Sequence, residues 1–293
     1  MDDLLKKYYS KIAPVLAERG FLRKGRMFGR IVNDVFQGAS IEKLRRGQAF
    51  RECRIEFGVW PLCEGLTLSR CLDFCDWYYL RQFEVFHDYA VLSVPEKITA
   101  ENAAAFGAAL GRFLSVASGS VKRDNGDCFS WAYEPTPDSI DACVAELYRF
   151  VVTYLMPFFE RADSCSTALG EIISLEKLFN SNRLAMLQEM CREDGARTLD
   201  GVLWNDRRKL LMALRTENFD LAQKVAEIML SSDTDAYRSA QEHGFSNLEK
   251  WRASVEQGEE LLARIQQRDK AYFRKTLNEQ EVRSREELAL FIR

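Results

Sequence analysis

The sequence predicts an α+β protein, in which a small antiparallel sheet packs with helices and an all-helical C-terminal region follows. Three observations indicate this class. Apolar and charged residues alternate over 52–59, as in a strand with one buried face. Apolar residues recur at helical spacing over 3–19 and 137–155. From about residue 166 onward every pattern is helical, and no strand signal returns.

The first predicted element is an amphipathic helix over residues 3–19, which Pro14 could kink. Its apolar residues fall on one side at helical spacing, so that side should face the core. Gly20 suits the left-handed backbone position that ends a helix. The apolar residues on the core-facing side of this helix are Leu5, Tyr8, Tyr9, Ile12, Val15 and Leu16.

Three strands are predicted next. Segments 26–32 and 35–42 flank Asn33-Asp34, and both residue types tolerate a positive φ, so a two-residue hairpin turn is expected there. The third strand covers 52–59 with one apolar and one charged face, as in a half-exposed antiparallel strand. Trp60-Pro61 is expected to stop it.

The middle of the chain gives mixed signals. Residues 77–93 are aromatic-rich and fit either a strand or a helix, whereas 100–117 have a helical pattern. The strongest helix start is Thr136-Pro137, because Thr is a good N-cap and Pro is favoured at the first helical position. Pro157 is expected to end this helix, and Phe158-Phe159 to cover the core.

The C-terminal half is predicted to be helical throughout. A polar link near residues 192–201 marks a boundary that a protease should cut. We therefore expect an α+β domain over 1–175 and a helical extension over 176–293. The predicted helices are 166–191, 203–216, 218–231, 234–242 and 245–276, with a final turn near 284–292.

Composition narrows the class of protein. The 293 residues carry a net charge of −3 with 47% hydrophobic residues, as expected of a soluble protein that is not generally basic. The first residues are acidic and contain no unbroken apolar core, so a signal peptide is not predicted. We saw no window close to the roughly 18 apolar residues of a membrane span. These features favour the cytoplasm and no membrane partner.

Metal and catalytic chemistry find little support in the sequence. The eight cysteines include one close pair, Cys71 and Cys75, and a structural zinc site needs four ligands at paired spacings. We expect reduced, buried thiols and no metal or cofactor. His87 could pair in space with a cysteine, but nothing selects one cysteine of eight, so no catalytic residue is assigned. Asp124 with Asp127, and likewise Asp233 with Asp235, fit solvated loop ends better than metal ligands.

Basic side chains are concentrated in residues 19–54. Ten Lys and Arg residues there stand against three acidic ones, a local charge of +7, which leaves −10 for the rest of the chain. This asymmetry favours contact with phosphates or with an acidic protein. Phe28 and Phe36 could stack on bases. In the alternative, the cations are solvated or paired with the acidic C-terminal half. The candidate binding residues are Arg23, Lys24, Arg26, Arg30, Arg45, Arg46 and Arg54.

The order of local patterns also resembles a known family. A leading helix is followed by the segment Arg19 to Phe28, two strands, and Ile55 to Val59; later, Tyr154 to Glu160 ends a helix with a proline and aromatics. On these pieces, residues 11–59, and more loosely 1–175, resemble the bacterial domain-of-unknown-function 4304 family. The resemblance implies a fold and carries no catalytic set.

The functional expectation is a non-enzymatic binding or interaction protein of the bacterial cytosol, which could neutralise a toxin or effector. An acidic protein is the expected partner. The alternative is an enzyme or binder that acts on a nucleic acid or another phosphate-containing ligand through the basic hairpin. No nucleic-acid motif supports that alternative, and the oligomeric state is left open.

Overall fold

A computed structural model describes residues 3–44, 51–67, 131–178, 206–244 and 246–292, and the elements below are numbered over these residues. The predicted α+β class with a helical C-terminal region is confirmed. The strands form one antiparallel sheet in the order β1-β2-β3-β4-β5. They are β1 Leu22–Lys24, β2 Met27–Val32, β3 Val35–Leu44, β4 Arg51–Pro61 and β5 Trp131–Tyr133.

Helices account for most of the remaining described residues. The N-terminal and middle helices are α1 Asp3–Glu18, α2 Pro137–Phe150, a π-helical turn Val151–Leu155, α3 Met156–Arg161 and α4 Cys165–Leu178. The C-terminal helices are α5 Asp206–Arg215, α6 Phe219–His243, α7 Leu248–Gln266 and α8 Lys270–Glu287. Two 3-10 turns, Leu62–Glu64 and Ala289–Phe291, follow β4 and α8.

The N-terminal helix and the first hairpin turn agree with the sequence prediction. α1 contains Pro14 and ends before Gly20, whose φ is +86°. β2 and β3 join at a two-residue turn, in which Asn33 has a φ of 49° and Val32 pairs with Val35. Asparagine tolerates this left-handed backbone better than most residues, which is the basis on which the turn was predicted.

β4 ends at Pro61, in agreement with the prediction that Trp60-Pro61 stops the strand, although Trp60 and Pro61 themselves still pair with β3. Pairing with β3 runs from Leu44 opposite Glu52 to Val35 opposite Pro61. Proline fits here because it is the last residue of the strand, where no further ladder bond is needed. The backbone N–H of Leu62 then donates to Asp34 O at 2.9 Å, which attaches the end of β4 to the hairpin turn.

One face of the sheet is covered by α1, α2 and α3. Phe57 of β4 lies with its ring centroid 5.9 Å from that of Phe150 and 5.8 Å from that of Phe158. On β3, the buried Gln37 amide donates to Phe159 O and Ala162 O at the end of α3. This amide therefore satisfies helix carbonyls that would otherwise lack partners.

The opposite face of the sheet is crossed by a row of glycines. Gly29, Gly38 and Gly58 are paired in register across β2, β3 and β4. The rings of Phe36, Trp60 and Phe291 occupy the space that side chains would fill there, with Phe36 and Phe291 centroids 5.2 Å apart. The expectation of a half-exposed β4 therefore fails at this end, where Trp60 is 4% exposed.

The C-terminal helices attach to this second face through polar contacts as well. Ser284 Oγ of α8 donates to Leu62 O at 2.6 Å and accepts from Leu66 N at 2.7 Å. Arg208 of α5 forms a buried ion pair with Glu64, with Nε and Oε2 3.2 Å apart. A buried pair of this kind holds elements in a defined position, because either charge would be costly to bury alone.

Helix boundaries in the second half differ from the sequence prediction. Pro157 does not end its helix: the π-helical turn precedes it and α3 continues to Arg161. A π turn changes the hydrogen-bond spacing, so the missing proline N–H interrupts no regular α-helical bond. Segments 218–231 and 234–242 form one helix, α6, whereas 245–276 is broken between α7 and α8.

Residues 137–161 are, in the described part of the chain, the one helical stretch long and apolar enough by composition to cross a membrane, although no such window was expected. Its apolar stripe is buried, with Leu147 and Leu155 fully inaccessible. The stretch starts at a Thr136 N-cap, as predicted, whose Oγ1 accepts from Ser139 N. Of the most apolar window in this stretch, 47% is buried inside the structure.

Several expectations lie outside the described residues. These are the ambiguous segment 77–93, the helix over 100–117 and the protease-sensitive link at 192–201. The division into domains at residue 175 stays a prediction. Among the residues that are described, one cluster of buried side chains runs from Leu4 to Phe291 and so includes both predicted domains.

Candidate functional site

The turn between β1 and β2 carries three exposed cations, Arg23, Lys24 and Arg26, which we call the basic turn. The strands pair here with Lys24 opposite Met27, and Gly25 takes a left-handed φ of 60°. Within the described ranges no carboxylate lies at ion-pair distance from these three side chains. Their positive charge is therefore presented to solvent at the edge of the sheet.

Arg23 is held in place by an aromatic ring. Its guanidinium carbon lies 3.5 Å from the centroid of the Tyr9 ring, and its Nε donates to Gly25 O at 2.9 Å. Tyr9 itself lies on α1, is 7% exposed and packs on Phe28 of β2. Burial raises the pKa of Tyr9, an effect that Arg23 and Arg26 oppose. Tyr9 therefore stays a neutral platform for the guanidinium.

Arg30 has a different role from its neighbours in the sequence. Its Nε donates to Gln37 Oε1 at 2.7 Å, a terminal nitrogen donates to Arg19 O, and the guanidinium lies over the Phe21 ring. Burial lowers the pKa of Arg30, and the carboxylate of Glu160 opposes that effect. We leave Arg30 out of the candidate surface because it is partly buried and two of its nitrogens donate within the fold.

The other predicted basic residues are separated from the basic turn or not described. Arg54 lies on β4, in backbone register with Glu42 of β3 and away from the β1–β2 turn. Arg45 and Arg46 lie outside the described residues. The structure thus brings together Arg23, Lys24 and Arg26 from the seven candidates.

The idea that Phe28 and Phe36 stack on bases is wrong. Phe28 is 2% exposed and packs on Tyr9, and Phe36 is fully buried between Trp60 and Phe291. Both rings belong to the core, one on each face of the sheet. A base could reach them only if the packing opened.

The β2–β3 turn is a polar junction that sequence reasoning missed. Asp34 Oδ1 accepts from Cys165 N at the start of α4, and its Oδ2 lies 3.5 Å from Arg215 Nε. Asn33 donates to Asp163 O and accepts from Arg285 of α8. The sequence showed only a turn here, since these partners are distant along the chain. Asp34 therefore holds the start of α4 and the end of α5 against the turn, and these contacts form no reactive group.

A cavity of about 240 Å³ lies between α5, α8 and the start of α6. Its rim carries Glu217, whose carboxylate accepts from Lys270 Nζ at 2.7 Å and from Arg274 Nε at 2.8 Å. These two hydrogen bonds lower the pKa of Glu217. Glu217 thus pairs with two of the cations at the rim. The apolar lining is made by Leu214, Phe219, Phe273 and Leu277.

Metal-binding geometry is lacking in the part of the chain that is described: no group of three or more His, Cys, Asp or Glu side chains could hold an ion there. Asp233 and Asp235 lie within α6, not in a loop as expected, and bond to Ser254 and Arg238. His87, the histidine considered for a cysteine pair, lies outside the described residues.

Comparison with known proteins does not assign the chain to a family. No protein-family model matches the chain, and no match was found among curated proteins or solved structures. The resemblance to the domain-of-unknown-function 4304 family therefore stays a prediction.

Proposed function

We propose that this is a non-enzymatic binding protein of the bacterial cytosol, whose basic turn contacts an acidic protein partner such as a toxin or effector that it neutralises. The observation that carries the proposal is the group of three exposed cations, Arg23, Lys24 and Arg26, without carboxylate partners among the described residues. Elsewhere on the described surface, exposed arginines such as Arg149 and Arg252 pair with nearby glutamates.

The position of Arg23 supports binding over simple solvation. Stacking on Tyr9 and the bond to Gly25 O restrict the side chain before any partner arrives. A restricted arginine loses less conformational entropy when it binds, and its terminal N–H groups match a carboxylate with two parallel hydrogen bonds. Lys24 and Arg26 add charge without such restriction, which increases the rate of encounter with an acidic surface.

A nucleic acid is the less favoured ligand for the same surface. Phosphates would also pair with Arg23, but single-strand binders usually add exposed aromatic rings on which bases stack. The two phenylalanines considered for that purpose are buried. The resemblance to the domain-of-unknown-function 4304 family supplies no catalytic residues for the nucleic-acid alternative.

Charge reversal tests the proposal. Arg23→Glu, Lys24→Glu and Arg26→Glu are combined in one variant, with Lys224→Glu, Lys250→Glu and Lys275→Glu as a control of equal charge on exposed helix positions. Binding of labelled poly-L-glutamate and of oligothymidylate is measured by fluorescence anisotropy over a range of salt. We expect the basic-turn variant to lose at least about tenfold in polyglutamate affinity, while the control changes little.

Two substitutions of Tyr9 separate the effect of the restricted position of Arg23 from the effect of its charge; they are Tyr9→Leu and Tyr9→Phe. Tyr9→Leu removes the ring under Arg23 and should weaken polyglutamate binding about two- to fivefold, since an exposed cation–π contact contributes about 0.5–1 kcal/mol. Tyr9→Phe keeps the ring and should bind like the wild type. Equal losses in the basic-turn and control triples would overturn the proposal. Selective, steeply salt-dependent binding of oligothymidylate would favour the nucleic-acid alternative.

A further inference from the structure

Two buried thiols face each other between the sheet and α2. Cys53 of β4 is fully inaccessible and Cys143 of α2 is 5% exposed, and their Sγ atoms are 3.7 Å apart. Neither of them forms a disulfide in the structure. A disulfide holds its sulfurs about 2.05 Å apart, so roughly 1.7 Å must be closed, which small side-chain rotations can supply.

The surroundings of the pair contain a free hydrogen-bond donor. Tyr8 of α1 lies beside Cys53, and its buried hydroxyl has no hydrogen-bond partner among the described residues. Buried hydroxyls are normally satisfied, so an unpaired one needs a reason. A hydroxyl in this place can donate to a sulfur or oxygen anion that forms during oxidation, which a packed apolar side chain could not do.

We propose that Cys53 and Cys143 are an oxidation site, at which hydrogen peroxide converts the two thiols into a disulfide that joins β4 to α2. The Cys143 sulfur attacks one peroxide oxygen, the O–O bond breaks, and the released hydroxide takes the thiol proton to leave as water. The Cys53 sulfur then attacks the resulting sulfenic acid. The S–S bond forms, the S–O bond breaks, and hydroxide leaves with the Cys53 proton as a second water. Two electrons pass from the thiols to the peroxide.

Cys143 reacts first because it is the more exposed thiol of the two, and peroxide is small enough to reach it through local opening of α2. The reaction requires a thiolate, since the thiolate is the nucleophile in thiol oxidation.

A second thiol pair in the same protein provides an internal control. Cys63 and Cys165 are also buried neighbours, but the Asp34 carboxylate and main chain contact Cys165. The hydrogen bond to Cys63, burial and the nearby Asp34 charge together raise the pKa of Cys165 far above its ordinary value. Burial acts on both pairs, but the Asp34 carboxylate further disfavours the Cys165 thiolate, so we expect this pair to stay reduced under conditions that oxidise Cys53 and Cys143.

The test treats the full chain with increasing hydrogen peroxide, blocks remaining thiols by alkylation and digests with chymotrypsin. Cleavage at aromatic residues gives peptide 51–57, which contains Cys53 alone, and peptide 134–148, which contains Cys143 alone. We expect these peptides to be joined with the loss of two hydrogens, and to separate on reduction. Cys63 and Cys165 should remain alkylated at the same peroxide dose.

Thermal melting gives a second readout. A disulfide closing so long a loop restricts the unfolded chain, so oxidation should raise the Tm by roughly 5 °C, reversibly with dithiothreitol. In Cys143→Ala the peroxide-dependent rise should vanish. If that variant does not fold, the disulfide-linked peptides from the wild type are sufficient to test the proposal. Free, alkylatable Cys53 and Cys143 after peroxide, or links of either one to a different cysteine, would overturn the proposal.

Discussion

At the scale of single residues, the glycine row decides how closely the C-terminal segment approaches the sheet. A Cβ at Gly29 would lie 2.6 Å from Phe36 Cζ and 3.0 Å from Phe291 Cδ1. Gly38 and Gly58 meet the rings of Phe36 and Trp60 in the same way. The sequence shows these glycines, but not that they align, since alignment depends on a strand register that no local pattern determines.

Replacing Gly29 tests this close approach. In Gly29→Ala the methyl group would collide with two buried rings, and overpacking of this kind costs about 1–3 kcal/mol. Gly170→Ala is the matched control, because nothing lies within 4 Å of its added Cβ and alanine favours the helix α4. Urea melts should show Gly29→Ala destabilised and Gly170→Ala unchanged or slightly more stable. Equal stability of Gly29→Ala and wild type would mean that the rings can move aside.

At the scale of elements, local signals predicted which helices and strands form better than they predicted where each one ends. The N-cap Thr136, the turn at Asn33-Asp34 and the alternation in β4 are short-range patterns, and the structure contains all three elements. The errors arose where a local stop signal was overridden by context, as at Pro157, where a π turn accommodates the ring. The break between α7 and α8, where Arg268 has a φ of 51°, has no glycine or proline to signal it.

The α6–α7 hairpin differs from the other described helices in how little of it is buried. Its buried residues cluster near the body, and Ala240 is the only fully buried position described in the long outer part. Asp233 and Ser254 form a hydrogen bond across the hairpin at 2.7 Å. Two helices packed only on each other bury less apolar surface than helices in a core, so this part should open locally at low cost.

Hydrogen exchange of the full chain tests that expectation. Amides in the outer hairpin, from about residue 230 to 260, should exchange well before those of α5, which buries Leu210, Met212, Ala213 and Leu214. The reason is the smaller apolar area that must be exposed on opening. Protection in the outer hairpin equal to that in α5 would show that another surface covers it.

At the scale of the whole molecule, the two predicted regions share a core. Phe291, in the 3-10 turn after α8, packs on Phe36 of β3. Ser284 of α8 forms hydrogen bonds with Leu62 and Leu66, which follow β4. The sequence could not predict this, because the contacting residues are more than two hundred positions apart and each half has its own regular pattern. Local charge, by contrast, did indicate the basic segment, although it did not separate the three residues of the basic turn from the partly buried Arg30.

We expect the sheet and the C-terminal helices α5 and α8 to form one cooperative unit. The most direct measurement is hydrogen exchange of the full chain in increasing, sub-denaturing urea, resolved to peptides from β3 and from α8. We predict that both sets of amides converge on the same opening free energy and the same urea dependence, because opening either one exposes the shared rings. Complete exchange of α5 and α8 at urea concentrations that leave β3 fully protected would contradict the claim.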